Sequence, residues 1–278
     1  MANITAADVN KLRQMTGAGM MDCKKALQEN DGDFEKAIDY LRKKGQKLAT
    51  KRADKDANEG IVLARTNEAR DFGVIFMLNC ETDFVAKNQE FVNFTNTLMA
   101  KAIESKPANA EEFNALDLNG RTIADNITEM VGKTGEKMEL AHFEVISAPS
   151  VFAYNHPGNR LATLLGINQA GNENLEQAGH EVAMQIAAMA PVAVDKGDVP
   201  SDIIEREIEI GKEQARIEGK PEEMVEKIAL GKLNKFYKEN TLLNQEFVRD
   251  NKLTVGEFLN KVSKGLTVTS FKRFMLGA

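Results

Sequence analysis

The sequence predicts an α+β fold: a three-helix N-terminal module, an α+β core of two subdomains, and an antiparallel helical hairpin inserted in that core. Three observations lead there. The first 47 or so residues show helical periodicity with clear caps and breaks. From Gly60 the pattern changes to short β-branched and apolar runs. Residues 201–237 then return to two apolar-striped helices joined at Gly219-Lys220-Pro221. With 278 residues the chain exceeds the usual single-core size. The boundaries expected are 1–55 for the helical module and linker, 56–140 for one subdomain, 141–200 with 238–278 for the other, and 201–237 for the hairpin.

Each element follows from local chemistry. Thr5-Ala6-Ala7-Asp8 has the form of a capping box, with Ile4 and Val9 at the spacing of a hydrophobic staple. Val9 and Leu12 continue an apolar face until Gly17-Ala18-Gly19 ends the helix. A second helix is expected from Met20 to Glu29. After the turn Asp31-Gly32-Asp33, Asp33 caps a third helix with Phe34, Ala37, Ile38 and Leu41 on one face. Arg42-Lys43-Lys44, Lys47, Lys51-Arg52 and Lys55 read as a solvated helix end and linker.

In the core, Ile61–Arg65 and the unbroken apolar run Val74–Leu78 predict strands, the second covered on both faces. A helix follows with Phe91, Phe94, Leu98 and Ala102 on one side, then another over Arg121–Val131. Strands are expected at Met138–Ile146, Val151–Tyr154 and Leu161–Ile167, with Asn155-His156-Pro157-Gly158-Asn159 as a hairpin loop. Leu175–Ala190 returns to helix. In the inserted hairpin Ser201 is the expected cap, Ile203, Ile210 and Ile217 recur at sevens with Ile204 and Ile208 beside them, and Met224, Val225, Ile228, Ala229, Leu233 and Phe236 stripe the return helix. A helix over Thr254–Val262 and a strand over Val268–Met275 close the chain.

Composition excludes several classes of function. The longest apolar uncharged stretch, Val182–Val194, is thirteen residues and contains Pro191, whereas a membrane span needs about 20. Met1-Ala2-Asn3-Ile4-Thr5 lacks the basic head and apolar run of a secretory signal, so a cytoplasmic protein is expected. Cys23 and Cys80 are then two reduced thiols behaving as small hydrophobes. The net charge of −6 argues against direct nucleic-acid binding, but it is unevenly spread. Residues 1–52 hold 11 Lys/Arg against 7 Asp/Glu, leaving 25 against 35 in the remainder.

Fragments of catalytic motifs fail on inspection. Gly132-Lys133-Thr134 ends like a phosphate loop, but Ile127 stands where its first glycine belongs. Asp22 occupies the third glycine position after Gly17-Ala18-Gly19. His180-Glu181 starts a zinc-protease pattern in which Met184 replaces the second histidine. No metal or cofactor is expected, and no enzymatic activity; only a cysteine–histidine pair assembled in space would escape this reading.

Cys80-Glu81-Thr82-Asp83-Phe84-Val85-Ala86-Lys87 leads from the most apolar strand into a helix. Two readings stand for it. Thr82 or Asp83 caps the helix and Phe84 packs inward, or Phe84 is exposed beside a carboxylate and anchors a partner.

Leu12–Leu27, with Arg13-Gln14-Met15-Thr16-Gly17-Ala18-Gly19-Met20-Met21-Asp22-Cys23-Lys24 at its centre, resembles the N-terminal signature of the elongation factor Ts family. Asn79–Ala86 looks like that family's second signature, and the hairpin around Gly219-Lys220-Pro221 fits its third region. The resemblance covers most of the chain in order. It implies a translation factor that binds elongation factor Tu with GDP and promotes GDP release by disturbing the Mg²⁺ and phosphate site, so that GTP rebinds.

The resemblance further implies a ubiquitin-associated-like head contacting the GTPase through Arg13, Met20, Met21 and Lys24. Thr82, Asp83, Phe84 and Val85 match the stretch that dislodges the Mg²⁺, and His156 matches a contact from the body. Met20 and Met21 as head core, and His156 as a turn residue, remain alternatives. Some members carry a further C-terminal helical module that has no counterpart before Ala278. A homodimer or a two-plus-two complex with the GTPase stays open. The competing class is a protein-binding or chaperone-like module sharing the small head.

Overall fold

A computed structural model describes residues 4–171 and 173–277; Met1–Asn3, on which part of the signal reading falls, lie outside them. The chain is α+β and divides into two compact units. One comprises Met1–Leu63, Phe76–Glu144 and Met275–Ala278, the other Ala64–Ile75 and Val145–Phe274.

The first unit opens with α1 (Ala6–Thr16), α2 (Met20–Glu29) and α3 (Phe34–Lys51). Thr5 and Asp8 form the capping box. Gly17 ends α1 in the left-handed region at φ 68°, its N–H donating to Arg13 O. Asp33 caps α3 through the Lys36 N–H. The head closes around Val9, Leu12, Cys23, Ala26, Leu27 and Ala37. α3 is longer than its apolar pattern suggested: the basic stretch beginning at Arg42 forms its end through Lys51, and Arg52 and Lys55 lie in the connection to the next strand, so the helix-end-and-linker reading holds.

β1 (Glu59–Thr66) and β2 (Phe72–Cys80) precede a one-turn helix α4 (Asp83–Ala86), then α5 (Gln89–Ser105), α6 (Ala110–Ala115), α7 (Ile123–Thr134) and β3 (Met138–Ser147). The three strands form a sheet in the order β1-β2-β3. β2 is buried along almost its whole length, as its apolar run requires. Short α6, which the sequence pattern did not reveal, supplies Phe113. Its ring stacks between Phe76 and Phe143, with centroids 6.0 and 4.7 Å away. α3 crosses α7 where Gly45 meets Gly132. A methyl group at Gly132 would stand 3.1 Å from Gly45 Cα, so the two backbones approach with no side chain between them.

The second unit contains β4 (Ser150–Asn155), β5 (Leu161–Ile167), α8 (Glu173–Met189), α9 (Ser201–Ile217), α10 (Glu222–Asn240), β6 (Glu246–Phe247), β7 (Asp250–Thr254), α11 (Val255–Val262) and all but the last residue of β8 (Val268–Met275). β4 and β5 pair antiparallel from Ser150↔Ile167 to Asn155↔Ala162, and β8 lies beside β5. The core gathers Phe152, Leu165, Val182, Ile186, Leu242 and Leu259. The short pair β6–β7 was not anticipated.

The α9–α10 hairpin corrects two expectations. Pro200, not Ser201, is the N-cap, and Ser201 is already helical without capping α9 by its side chain. The seam is made by Gly211 and Ala215 against Val225, Ala229 and Leu233, all buried. Ile217 is 79% exposed and Ile210 is also exposed, so these two of the three isoleucines spaced by sevens lie outside the seam, while Ile203 is half-buried. Small residues win the seam because they let the backbones close: a methyl group at Gly211 would lie 3.0 Å from Ala229 Cα.

Candidate functional site

The segment after β2 is held from below and open above. Thr82 is the N-cap of α4, its Oγ accepting from the Val85 N–H at 3.4 Å. Backbone bonds from Ala86 N–H to Thr82 O (3.1 Å) and Lys87 N–H to Asp83 O (3.0 Å) complete the single turn. Thr82 donates twice to Glu136, from its N–H at 3.0 Å and its hydroxyl at 2.7 Å. Next to it, both Glu81 oxygens accept from one Arg52 nitrogen at 2.8 and 2.7 Å, and Glu81 also accepts the Lys137 N–H at 2.5 Å.

Upon this base Phe84 is 83% exposed, while Thr82, Asp83 and Val85 are half-buried. The cap and the outward aromatic therefore coexist, and the inward-packing reading of Phe84 does not hold. Lys87 pairs with Asp83 at 2.6 Å and holds its carboxyl below the usual carboxylate range. The tip thus offers an apolar ring beside a partly compensated charge.

On the head, Arg13 lies in α1 and Met20, Met21 and Lys24 in α2, all exposed. Met20 is 53% and Met21 73% exposed, so neither belongs to the head core. Met15, passed over in the sequence reading although it stands within the same signature, is exposed too. Gly17 brings the α1–α2 turn against the base of α5: a methyl group there would stand 3.1 Å from Lys133 Cε and 3.3 Å from Glu90 Oε1. Lys133, the residue of the failed phosphate loop, pairs with Glu129 and Glu90. A groove of about 410 Å³ nearby is lined by Met15, Ile38, Leu41 and Leu48 with Gly132 and Lys133.

His156 belongs to the second unit, exposed in the turn between β4 and β5, where its N–H donates to Leu161 O. Its Nδ1 is hydrogen-bonded to the Tyr154 hydroxyl at 2.9 Å. It borders a cleft of about 360 Å³ with Tyr154, Met184, Phe247, Val248 and Arg249. Sequence reasoning missed Arg249, whose guanidinium pairs with buried Glu181. It also missed Glu136 and Arg52, which lie 54 and 29 residues from the groups they hold and leave no local pattern.

Cys23 and Cys80 are both free and buried. Burial, reinforced by the Glu136 charge, pushes the Cys80 thiol up to about 12, and burial raises Cys23 as well. Neither is an activated nucleophile. Among the described residues no group of three or more His, Cys, Asp or Glu could hold a metal ion, and no helix is long and apolar enough to cross a membrane.

Comparison with known proteins places these features in a family context. The sequence model described as Elongation factor TS matches residues 81–278. The chain is similar to the elongation factor Ts of Amoebophilus asiaticus, 53% identical over 275 residues covering 99% of each chain. It is 53% identical over 276 residues to that of Porphyromonas gingivalis, again 99% of each. That of Chloroherpeton thalassium is 45% identical over 287 residues, 100% of this chain and 99% of the relative.

Proposed function

This chain belongs to the elongation factor Ts family and is a translation elongation factor, and from that premise we propose that it drives GDP release from elongation factor Tu and lets GTP rebind. The observation that carries this reading is Phe84, 83% exposed on a helical turn whose base is tied by charge-assisted bonds. An aromatic held out in water without packing has most of its burial still to gain, and such residues dominate interface energetics.

Exchange is reciprocal coupling: if the factor weakens GDP binding, GDP weakens the factor's binding equally. Each tenfold needs about 1.4 kcal/mol of differential contact. In this reading Phe84 and its neighbours displace the elements that support the GTPase's Mg²⁺. The metal neutralises phosphate charge, so its loss loosens the nucleotide. Arg13, Met20, Met21 and Lys24 on the head, and His156 on the body, supply binding that places the ring. The work is done by contact alone, without chemistry on a substrate bond.

Release of a fluorescent GDP from elongation factor Tu, followed with and without this protein, tests the proposal. Strong acceleration at substoichiometric factor is expected; an unchanged release rate would refute it.

A further inference from the structure

α4 is a single turn, and one turn does not hold itself in water, because nucleation fixes several dihedral angles for one hydrogen bond. Nor does Phe84 anchor it, since its ring is almost wholly exposed. Half-buried Val85 and Ala86 and the bond from Asn88 N–H to Val85 O hold the turn's far end, and the direction in which Phe84 leaves it is set at the N-cap. There both donors of Thr82 are spent on one carboxylate, Glu136, at 3.0 and 2.7 Å. With its hydrogen committed to Glu136, the Thr82 hydroxyl turns a lone pair to the Val85 N–H.

Glu136 is itself placed firmly. Gly135 ends α7 with its N–H on Val131 O, and the Glu136 N–H donates to Thr134 Oγ at 3.3 Å. The neighbouring Lys137 N–H reaches back to Glu81. Residues 81–82 and 136–137 are thus laced together by bonds running in both directions, each assisted by a carboxylate charge.

We infer that Glu136 is a positioning residue for nucleotide exchange, acting through the Thr82 N-cap to fix the direction of Phe84. The inference rests on the exchange reading above and adds a residue from outside the Thr82–Val85 segment.

Glu136→Gln tests it with little change of shape. Its amide oxygen can still accept the Thr82 N–H, but its N–H₂ then meets the Thr82 hydroxyl as a donor, which reverses that bond and removes the carboxylate charge from both. At saturating factor the maximal GDP-release rate should fall about tenfold, equivalent to about 1.4 kcal/mol. The half-saturating concentration should stay near the parent value, because the head and body contacts are untouched. The double variant Phe84→Ala/Glu136→Gln should be no slower than Phe84→Ala alone, since residues acting as one unit are not additive. Thr82→Val, which deletes the hydroxyl that Glu136 holds, should give the same pattern and serves if Glu136→Gln does not fold.

Parent rates in Glu136→Gln with a slow Phe84→Ala would overturn the inference and leave the exchange reading standing. Multiplying losses in the double variant would also overturn it, placing the effect of Glu136 elsewhere. Parent rates in Phe84→Ala would defeat both readings together.

Discussion

Removing the Phe84 ring should slow exchange while leaving the fold almost untouched. Full burial of a phenylalanine side chain is worth about 1.5–3 kcal/mol. With 83% of the residue still exposed, about 2 kcal/mol of that remains to be realised against a partner. At about 1.4 kcal/mol per decade this is roughly thirtyfold in the stability of the state the ring supports. The part already covered contributes under about 0.5 kcal/mol to folding, which moves Tm by no more than roughly 2 °C in a chain of this size. Stopped-flow release of fluorescent GDP at saturating Phe84→Ala, beside a thermal melt of the same variant, reads both quantities. Phe84→Leu, which keeps much of the apolar area, should retain most of the rate. The reasoning fails if Phe84→Ala exchanges at the parent rate. It fails equally if the variant melts more than about 5 °C lower, because the ring would then be supporting the fold.

Two further outcomes follow from the packing. Gly211→Val places methyl groups where 3.0 Å separates a Cβ from Ala229 Cα, so overpacking should cost about 1–3 kcal/mol; limited proteolysis should then cut between residues 201 and 240 faster than in the parent. Cys80, its thiol raised from 9.0 to about 12 by burial, should resist iodoacetamide at pH 8 in the folded protein and react once urea unfolds it, because the thiolate is the nucleophile. The folded state favours the protonated thiol, so this contribution to stability is complete below pH 9.0, declines above it and is gone beyond about 12. Denaturant midpoints measured across that alkaline window should fall.

Where the determinants are local, the sequence was enough. The Thr5–Asp8 box, the αL turn at Gly17, the apolar run of β2 and the β4–β5 loop all depend on neighbours within a few residues. Phe84 was legible as a tip only with its motif in view, since the same letters serve an inward staple. The α10 side of the hairpin seam was legible in Val225, Ala229 and Leu233, but the α9 side was misread because periodicity counts large apolar side chains. Gly211 and Ala215 carry little such signal yet decide how closely two helices can meet. β6 and α6 are too short for any period to register. The tie from Thr82 to Glu136 spans 54 residues and exists only once α7 and β3 have folded into place.

The crossing of α3 and α7 has a thermodynamic side. Gly45 and Gly132 each weaken the helix they sit in, by roughly 1 kcal/mol relative to alanine. Those same residues let the two backbones touch. Helix integrity and docking are therefore not independent in this molecule. α3 carries an intrinsic weak point at its middle that is masked while α7 covers it, and α7 carries the reciprocal one. Loosening the crossing would release both helices toward fraying at once, so the head's longest helix draws part of its persistence from a segment more than eighty residues further along the chain.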